Sequence, residues 1–435
     1  MTENQPIIPM DTSTYKSRVI DPLLKRKLQG KGAVLIEGAK WCGKTSTAEQ
    51  QASSNIYLSD PKRYDQYMLF ASDSPDLLLN GDTPRLIDEW QLAPKLWDAI
   101  RFEVDHRKGF GHFILTGSAV PANVDAIHHT GTGRFAWLLM RPMSLWESGD
   151  SSGVISLRQL FDAPQTIAAH NDTGLHRIAF LTCRGGWPSS SLQPDTIALD
   201  QAFDYYDAVV NADIQRVDGV NRDASRVKRL MRSYARHQGT QASFSQLSQD
   251  MKANENETID DNTIYSYLNA LRRIFVVEEM ASWNPNLRSK TAIRTTNTRY
   301  YVDPSIATAA LGLGPEDLMN DLETFGLLFE TLCVRDLRVF AQSIEGEVYH
   351  YRDKSGLECD AVVHLRNGNY GLIEIKLGGD HLIENGASTL LALASKIDTT
   401  RMKSPSFLMV LTASSSFAYR RKDGIYVVPI SCLKD

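Results

Sequence analysis

The chain has 435 residues, of which 42% are apolar and 23% charged, values that are typical of a folded globular protein and exclude a disordered or collagen-like one. It contains 47 basic and 52 acidic residues, and the resulting net charge of −5 excludes a uniformly basic nucleic-acid coat. The longest uninterrupted apolar run, Phe135–Met140, is far shorter than the ~20 residues that a membrane span needs.

The five cysteines are scattered along the chain and never stand in CxxC spacing. This distribution predicts reduced thiols in a cytoplasmic protein, without disulfide bridges or a zinc site. The first ten residues show no basic region followed by an apolar stretch, so the sequence predicts no signal peptide. At ~150 residues per domain, a chain of this length is expected to form two to four domains.

Short apolar runs alternate with helical patterns over residues 1–150. Ala33–Glu37, Arg85–Ile87 and His112–Leu115 are the strand candidates, and Trp97–Arg107 is one of the helical patterns. Strands that alternate with helices favour a parallel sheet. The first part of the chain is therefore predicted to be an α/β domain.

A phosphate-binding loop is predicted where the first strand candidate ends. The pattern GxxxxGK[ST] is fulfilled by Gly38, Ala39, Lys40, Trp41, Cys42, Gly43, Lys44 and Thr45. Glycines let backbone N–H groups turn toward a phosphate, and the helix that follows presents its positive end to the anion. We expect Lys44 to contact the β- and γ-phosphates of ATP and the Thr45 hydroxyl to bind Mg²⁺.

Two further strand ends carry residues that suit phosphoryl transfer. Asp88 and Glu89 follow Leu86-Ile87, and we expect Asp88 to hold Mg²⁺ and Glu89 to polarise the attacking water. The next strand closes with Thr116 and Ser118. Either hydroxyl can bond the water or the γ-phosphate, and the sequence does not choose between them.

Two arginines beyond these strands are candidates for a contribution to a neighbouring subunit. Arg134 follows a glycine-rich turn, and Arg141 lies seven residues further on. An arginine supplied in trans stabilises the charge of the phosphoryl-transfer transition state. A role of this kind for either residue predicts an oligomer.

The middle of the chain is predicted to be a helical connector at 151–213 and a winged-helix DNA-binding domain at 214–300. Ile214–Arg236 carries seven basic and two acidic residues, and Asn284–Tyr300 has basic but no acidic residues. Such segments suit the phosphates of DNA, although a solvated helix face looks similar. The expected phosphate contacts are Arg226, Arg229, Arg288 and Arg294. Aromatic contacts to sugar or base are expected from Tyr265, Tyr267 and Trp283.

The last part, 301–435, is predicted to be a second α/β domain with a possible second site. Asp360, Glu374 and Lys376 follow the pattern D-x13-E-x-K on two adjacent strand candidates, and Glu374 and Lys376 share a strand face because they are two residues apart. The two carboxylates can hold a divalent metal, and the lysine can stabilise charge on a phosphate. Glu330 can add an acidic group from the preceding helix. The pattern predicts a PD-(D/E)xK nuclease-like fold and leaves open whether it cuts DNA or only binds it.

The ordered motifs resemble those of bacterial and archaeal AAA-type ATPases with a C-terminal DUF4143 domain. The likeness rests on the phosphate loop, Asp88–Gln91, Leu115–Ser118, Thr132–Arg134, Arg141–Glu147, Phe325–Glu330, Gly356–Asp360 and Glu374–Lys376. The resemblance implies a P-loop AAA+ ATPase core, a winged-helix middle and a restriction-endonuclease-like end. It also implies a homo-oligomeric ring, such as a hexamer, that acts on DNA.

Two classes of function follow from these motifs. The first is an ATP-hydrolysing motor that processes duplex or branched DNA, with or without cleavage. The second is a nucleotide-dependent regulatory switch whose DNA-binding and nuclease-like parts only bind. Glu89 favours turnover, because a pure switch could dispense with a residue that activates water. A protein-remodelling ATPase has less support, since no pore-loop motif is recognised.

Overall fold

The computed structural model describes residues 15–119, 130–162, 167–252, 259–285 and 296–435. Two of the arginines expected to contact DNA, Arg288 and Arg294, lie outside these ranges. Within them, no helix combines the length and the apolar character that crossing a bilayer requires.

The first part of the chain forms a five-stranded sheet in which every neighbouring pair is parallel, as the alternation of strands and helices predicts. Its strands are β1 (Ala33–Glu37), β2 (Ser54–Tyr57), β3 (Arg85–Asp88), β4 (Phe113–Gly117) and β5 (Phe135–Leu139). Its helices are α1 (Asp21–Gly30), α2 (Lys44–Glu49), α3 (Tyr64–Asp73), α4 (Asp76–Leu79), α5 (Leu96–His106) and α6 (Leu145–Ser148). The strand order is β2-β3-β4-β1-β5.

This order places the predicted phosphate loop at a natural binding position. The strand β1 lies inside the sheet, between β4 and the edge strand β5, and four of its five residues are buried. In open parallel sheets, ligands bind beyond the carboxyl ends of the strands, where the strand order reverses. The loop after β1 and the ends of β3 and β4 all open to that edge.

The middle of the chain is mostly helical. Its helices are α7 (Leu157–Asp162), α8 (Leu175–Arg184), α9 (Asp195–Ala198), α10 (Asp200–Ala208), α11 (Ile214–Arg216), α12 (Ala224–Arg236), α13 (Phe244–Met251), α14 (Asp261–Arg273), α15 (Pro304–Leu311) and α16 (Pro315–Asn320). Antiparallel bridges join Val277 to Tyr301 and Met280 to Thr298 after α14. Within 214–300 the four helices α11 to α14 precede these two bridges, and the assignment of this region as a winged helix stays a prediction.

A second, mixed sheet is built mainly from the end of the chain. The elements in this part are α17 (Leu322–Ser343), β8 (Gly346–Arg352), β9 (Glu358–Leu365), β10 (Tyr370–Lys376), α18 (Asp380–Lys396), β11 (Phe407–Thr412), β12 (Phe417–Arg420), β13 (Tyr426–Pro429) and β14 (Leu433–Lys434), and two short strands, β6 (Ile155–Ser156) and β7 (Ala168–His170), come from earlier in the chain. The seven-stranded order is β7-β12-β13-β11-β10-β9-β8, and β14 pairs with β6.

The expected boundary at 151–213 therefore needs a correction. The strand β7 pairs with β12, and β6 pairs with the last strand, so this segment is not simply a helical connector. Strands of two or three residues carry too little alternation to be recognised in a sequence, and their partners lie more than 240 residues away. The apolar pattern of Leu318–Phe340 predicts one helical block, but the structure divides it, since α16 ends at Asn320 and α17 begins at Leu322.

Helix α17 holds the parts of the chain together through a buried guanidinium. The Nη1 of Arg335 donates to Asp303 at 2.9 Å, and its Nε donates to Asp336 at 2.8 Å. The three side chains are no more than 1% exposed. Backbone N–H groups bond the same carboxylates, from Gly186 to Asp303 and from Leu145 to Asp336, both at 2.9 Å. The network thus joins the end of the first part, the middle helices and α17.

A second network on α17 involves one of the candidate trans arginines. Arg141 donates to both carboxylate oxygens of Glu278, at 2.8 and 2.6 Å, and to Gln342 at 2.8 Å. Arg338 approaches Glu278 at 3.6 Å. Burial opposes ionisation of Glu278, yet the two guanidinium groups lower its pKa to about 2. Arg141 is therefore engaged within its own chain.

Replacing Arg335 by methionine should destabilise the fold strongly, because Asp303 and Asp336 would remain buried without their counter-ion. Loss of one partner from a buried ion pair costs about 3–5 kcal/mol. We expect urea unfolding, followed by circular dichroism, to show a clearly lower midpoint for Arg335→Met. The control is Arg134→Met, whose pair with Asp105 lies on the surface and should contribute nothing measurable. Equal midpoints for the two variants would contradict the structural role of Arg335.

Candidate functional site

The loop after β1 has the backbone conformation of a phosphate cradle. Gly43, immediately before α2, has φ of +98°, a value that favours glycine. A Cβ at Gly38 would lie 2.0 Å from the carbonyl oxygen of Met140, so only glycine fits there. Trp41 also has a positive φ, of +64°, which is uncommon for a bulky residue. The loop consequently curls around its own N–H groups, and α2 begins directly behind it.

Lys44, Thr45 and Asp88 meet inside this cradle. The Nζ of Lys44 donates to the carbonyl oxygens of Gly38 and Ala39, at 3.0 and 2.7 Å. The Thr45 hydroxyl donates to Asp88 at 2.7 Å. Both Lys44 and Asp88 are buried. A hydroxyl and a carboxylate this close fit a Mg²⁺ site of the P-loop type, in which substrate phosphates and water supply the other ligands.

The two hydroxyl candidates at the end of β4 contact different carboxylates. Thr116 donates to Asp88 at 2.6 Å, whereas Ser118 donates to Glu89 at 3.3 Å. Gln91 also donates to Glu89. Thr116 therefore lies beside the carboxylate expected to hold Mg²⁺, and Ser118 lies beside the carboxylate expected to polarise water.

Glu89 has a strained backbone, which the sequence did not reveal. Its φ of +56° and ψ of +44° lie in the left-handed region, which costs a non-glycine residue of the order of 1–3 kcal/mol. Such strain concentrates at functional positions, where the surrounding structure imposes it. Here it turns the Glu89 side chain toward Gln91 and Ser118 at the end of the sheet.

The remaining loop residues contact the rest of the chain. Ala39 and Cys42 are buried, and Arg18 donates to the Cys42 carbonyl oxygen at 2.7 Å. Lys40 forms an ion pair of 2.5 Å with Asp213, and the exposed Trp41 lies 6.1 Å from Tyr205 between ring centroids. The middle part of the chain therefore contacts the phosphate loop directly through Asp213 and Tyr205. The sequence did not identify these two residues as partners of the loop.

A cavity of about 310 Å³ opens beside the phosphate loop. Its walls include Tyr15, Lys16, Gly43, Met143 and Pro188. The Tyr15 hydroxyl bonds Asp21 at 2.7 Å and Thr47 at 2.9 Å, which fixes the ring against α2. The cavity has the volume of a small-molecule site and a mixed polar and apolar lining.

The structure separates the two candidate trans arginines. Arg134 is 45% exposed and pairs with Asp105 of its own chain at 2.8 Å. Arg141 has a side-chain exposure of 12% and is held by Glu278. Only Arg134 has the accessibility that a contact with a neighbouring subunit requires.

Asp360, Glu374 and Lys376 lie together, as their spacing predicts. The Nζ of Lys376 lies 3.0 Å from Asp360 and 2.7 Å from Glu374. The backbone N–H of Ile375 donates to Asp360 at 2.7 Å. Burial alone would lower the pKa of Lys376, but the two carboxylates outweigh it and raise that pKa. The lysine is therefore a persistent cation between two carboxylates.

Glu330 joins this cluster from α17. It accepts a hydrogen bond from Tyr300, and burial together with the Asp360 carboxylate raises the pKa of Glu330 above its ordinary value. The same two causes raise the pKa of Glu374. Glu330 and Asp360 line one cavity of about 140 Å³, with Tyr300 in its wall. The cluster therefore has an opening, and the middle of the chain contributes to it.

Among the described residues, no three side chains of histidine, cysteine, aspartate or glutamate are placed to hold a metal ion together. We call Asp360, Glu374 and Lys376 the C-terminal cluster. In it, Lys376 lies where a cation would bridge the two carboxylates. A divalent ion fits there with these two carboxylates as its ligands only if the lysine moves aside. The donor set suits a hard cation such as Mg²⁺.

The expected DNA contacts are only partly accessible. Arg226 and Arg229 on α12 are half-buried and have partners within the chain. The prediction of aromatic contacts is wrong for Tyr267 and Trp283, which are buried, whereas Tyr265 is 54% exposed. Three other basic residues of α12 are exposed, namely Lys228, Arg232 and Arg236. The sequence prediction missed them, although residues four apart share one face of a helix.

Three family models match parts of the chain. Residues 30–148 match an AAA domain family, residues 175–317 match the domain of unknown function DUF8612, and residues 325–433 match the domain of unknown function DUF4143. The chain is 22% identical over 355 residues to the uncharacterized proteins Mb2031c of Mycobacterium bovis and Rv2008c of Mycobacterium tuberculosis, an overlap that covers 81% of this chain and 72% of each relative.

Among solved structures, the chain is similar to a Walker-type ATPase of Pyrococcus abyssi, with 12% identity and a TM-score of 0.40 over 67% of this chain and 94% of that one. The family matches confirm the AAA-type domain and the DUF4143 domain that the motifs predicted. Residues 30–148 are thus similar to an AAA domain family, and residues 325–433 are similar to the DUF4143 family.

Proposed function

We propose that this protein hydrolyses ATP at the phosphate loop and uses the turnover to act on DNA. The single observation that carries the ATPase proposal is the convergence of Lys44, Thr45, Asp88 and Glu89 at the carboxyl edge of the parallel sheet. A nucleotide-binding protein without turnover would need the first three but not a strained, hydrogen-bonded glutamate at the fourth position.

Each side chain has a separate task in this proposal. The Lys44 ammonium exchanges the carbonyl oxygens of Gly38 and Ala39 for the β- and γ-phosphates, and the backbone N–H groups of the loop bind the same anions. Thr45 and Asp88 hold Mg²⁺, which would supply charge stabilisation at the γ-phosphate. Glu89 accepts a proton from the attacking water, and Ser118 orients the carboxylate.

The cavity beside Gly43 suits the nucleoside end of the substrate. It adjoins the loop that binds the phosphates, and Tyr15, Met143 and Pro188 offer surfaces for a flat base. Lys16 is held at the cavity by the carbonyl oxygens of Ser148 and Ser191, at 2.8 and 3.3 Å. We assign the cavity to adenosine on this basis.

DNA is the proposed macromolecular substrate, with duplex or branched forms as the candidates. The support is the basic character of Ile214–Arg236 and the order of helices and paired segments that follows it. We assign Arg226 and Arg229, together with Arg288 and Arg294, to the phosphate backbone. Movement along DNA is proposed to require a homo-oligomeric ring in which Arg134 exchanges Asp105 for a neighbour's γ-phosphate.

Glu89→Gln should keep nucleotide binding and slow hydrolysis by about 10²–10⁴-fold, because it removes the proton acceptor and leaves the phosphate contacts. Lys44→Ala should weaken binding itself. Phosphate release and fluorescent-nucleotide binding measure the two effects separately. Glu103→Gln, a surface change on α5, is the control and should leave both unchanged. Normal turnover in Glu89→Gln would remove this residue from the mechanism.

Arg134→Ala and Lys44→Ala should each abolish turnover alone but recover part of it when mixed. At a mixed interface, the Lys44→Ala subunit supplies its intact Arg134 to the intact phosphate loop of the Arg134→Ala subunit. Steady-state ATPase rates across mixing ratios provide the readout, and native mass measurement with ATP and DNA reports the assembly. A strictly monomeric protein, or no recovery at any ratio, argues against the trans role.

A second candidate function is metal-dependent DNA cleavage at the C-terminal cluster. It is favoured by the ion pairs of Lys376 with Asp360 and Glu374, at 3.0 and 2.7 Å. Asp360 also lines a cavity together with Glu330. The order α17–β8–β9–β10–α18–β11 supports a nuclease-like fold. The alternative is that the same cluster only binds, as part of a nucleotide-dependent regulatory switch.

Cleavage, if this site performs it, should require Mg²⁺ or Mn²⁺ and should be lost in Asp360→Asn. Lys376→Met should retain metal and slow cutting, since the lysine stabilises charge near the phosphate. Linear, forked and four-way DNA are the substrates, and the exposed Asp398→Asn is the control. ATPase rates should stay normal in all three variants. Uncut DNA under every condition would assign the cluster to binding and leave the ATPase proposal intact.

A further inference from the structure

The face of α12 that carries Lys228, Arg232 and Arg236 borders a groove that no part of the proposed ATPase uses. The groove has a volume of about 320 Å³ and lies between α12 and the start of α17. Arg232 and Arg236 form one wall, Thr324 and Leu327 form the other, and Leu311 contributes to an apolar floor. We call this surface the α12–α17 groove.

Both walls of the groove lead toward the C-terminal cluster. On α17, Thr324 and Leu327 are followed at the same spacing of three by Glu330, which lines the cavity of about 140 Å³ beside Asp360. On the other wall, α12 ends at Arg236, and a Cβ at the nearby Gly239 would lie 2.9 Å from Glu330 Oε1. Arg236 and Leu327 of the groove are each three residues from a residue that lines the cavity, Gly239 and Glu330, so the two openings are neighbours although they share no lining residue.

The charge of the groove suits a phosphate backbone. Lys228 and Arg236 have side-chain exposures of 51% and 64%, and their carboxylate neighbours, Asp207 and Asp250, lie at 3.8 and 4.0 Å, which are long ion-pair distances. Residues four apart on a helix are separated by ~6 Å along its axis, close to the spacing of successive phosphates in an extended strand. The row therefore offers one cation per phosphate.

We propose that the α12–α17 groove binds one single strand of nucleic acid and directs it into the cavity of the Asp360–Glu374–Lys376 cluster. This inference rests on the proposed action on DNA and names the form of DNA that the C-terminal cluster receives. The cavity has a volume of only about 140 Å³, which favours a single strand over a duplex. The faces of the bases can lie against the apolar floor. Binding of this kind has no sequence preference, because every base has a flat face.

An acidic peptide is the other occupant that such a surface suggests. The nucleic acid is favoured because the groove lies beside a cavity whose wall includes Asp360, and Asp360 contacts Lys376 at 3.0 Å.

The first test measures binding of oligothymidylate and of a matched duplex to the full chain with Lys228, Arg232 and Arg236 replaced by glutamine. Single-strand affinity should fall by about tenfold or more, and the salt slope should fall by about 2, since each single-strand phosphate contact contributes ~0.7. Duplex binding should change much less. The control replaces three exposed basic residues elsewhere, Lys62, Lys354 and Arg401, and should change neither.

The second test locates the strand by photocrosslinking. The five native cysteines are buried, so a cysteine introduced at the surface can be labelled selectively. A benzophenone at Leu322→Cys, beside the groove, should crosslink oligothymidylate. The same label at Leu77→Cys should not, although both leucines are 51% exposed.

The outcomes separate this inference from the proposal on which it rests. If the unaltered protein binds neither single-stranded nor duplex DNA, the proposed DNA function fails and the groove has no such ligand. If it binds DNA but the groove variant keeps the same affinity and salt slope, only the groove is excluded. Equal losses for duplex and single strand overturn the strand assignment. Crosslinking to an acidic peptide but not to oligothymidylate assigns the groove to protein.

Discussion

The buried guanidinium of Arg335 is the constraint on which the arrangement of the chain depends. It pairs with both Asp303 and Asp336, and those carboxylates accept hydrogen bonds from backbone N–H groups in two other parts of the molecule. Burial raises the pKa of Asp336 to about 6 even beside this cation, so the site carries a real desolvation cost. Because α17 also carries Glu330 and Arg338, the helix that organises the core reaches both the C-terminal cluster and the network around Arg141.

The parts of the fold that the sequence predicted are those with strong local signals. The strand β1 has the predicted range, Ala33–Glu37, at both ends, because a run of apolar residues is followed there by a glycine. The strand β7 was missed because it has three residues and depends on β12, far along the chain. The break between α16 and α17 was missed for a different reason, since apolar periodicity continues across Asp321 although the backbone does not.

At the candidate site, residue types were predictable and their partners were not. The pattern GxxxxGK[ST] specifies Lys44 and Thr45, because only a glycine-bearing loop before a helix can present so many N–H groups to a phosphate. The left-handed backbone of Glu89 and the ion pair between Lys40 and Asp213 depend on tertiary contacts. The basic face of α12 was only partly predicted. The spacing of four residues could have identified the exposed row, but the choice of residues by charge alone selected the half-buried Arg226 and Arg229.

The steady-state rate of phosphate release measures directly whether ATP turnover is coupled to DNA. The rate should be compared without nucleic acid and with single-stranded, duplex and forked DNA at one salt concentration. We expect turnover that depends on Glu89 and rises several-fold with at least one of these DNA forms. Tight retention of ATP with negligible turnover under every condition would contradict it and would support a nucleotide-dependent switch.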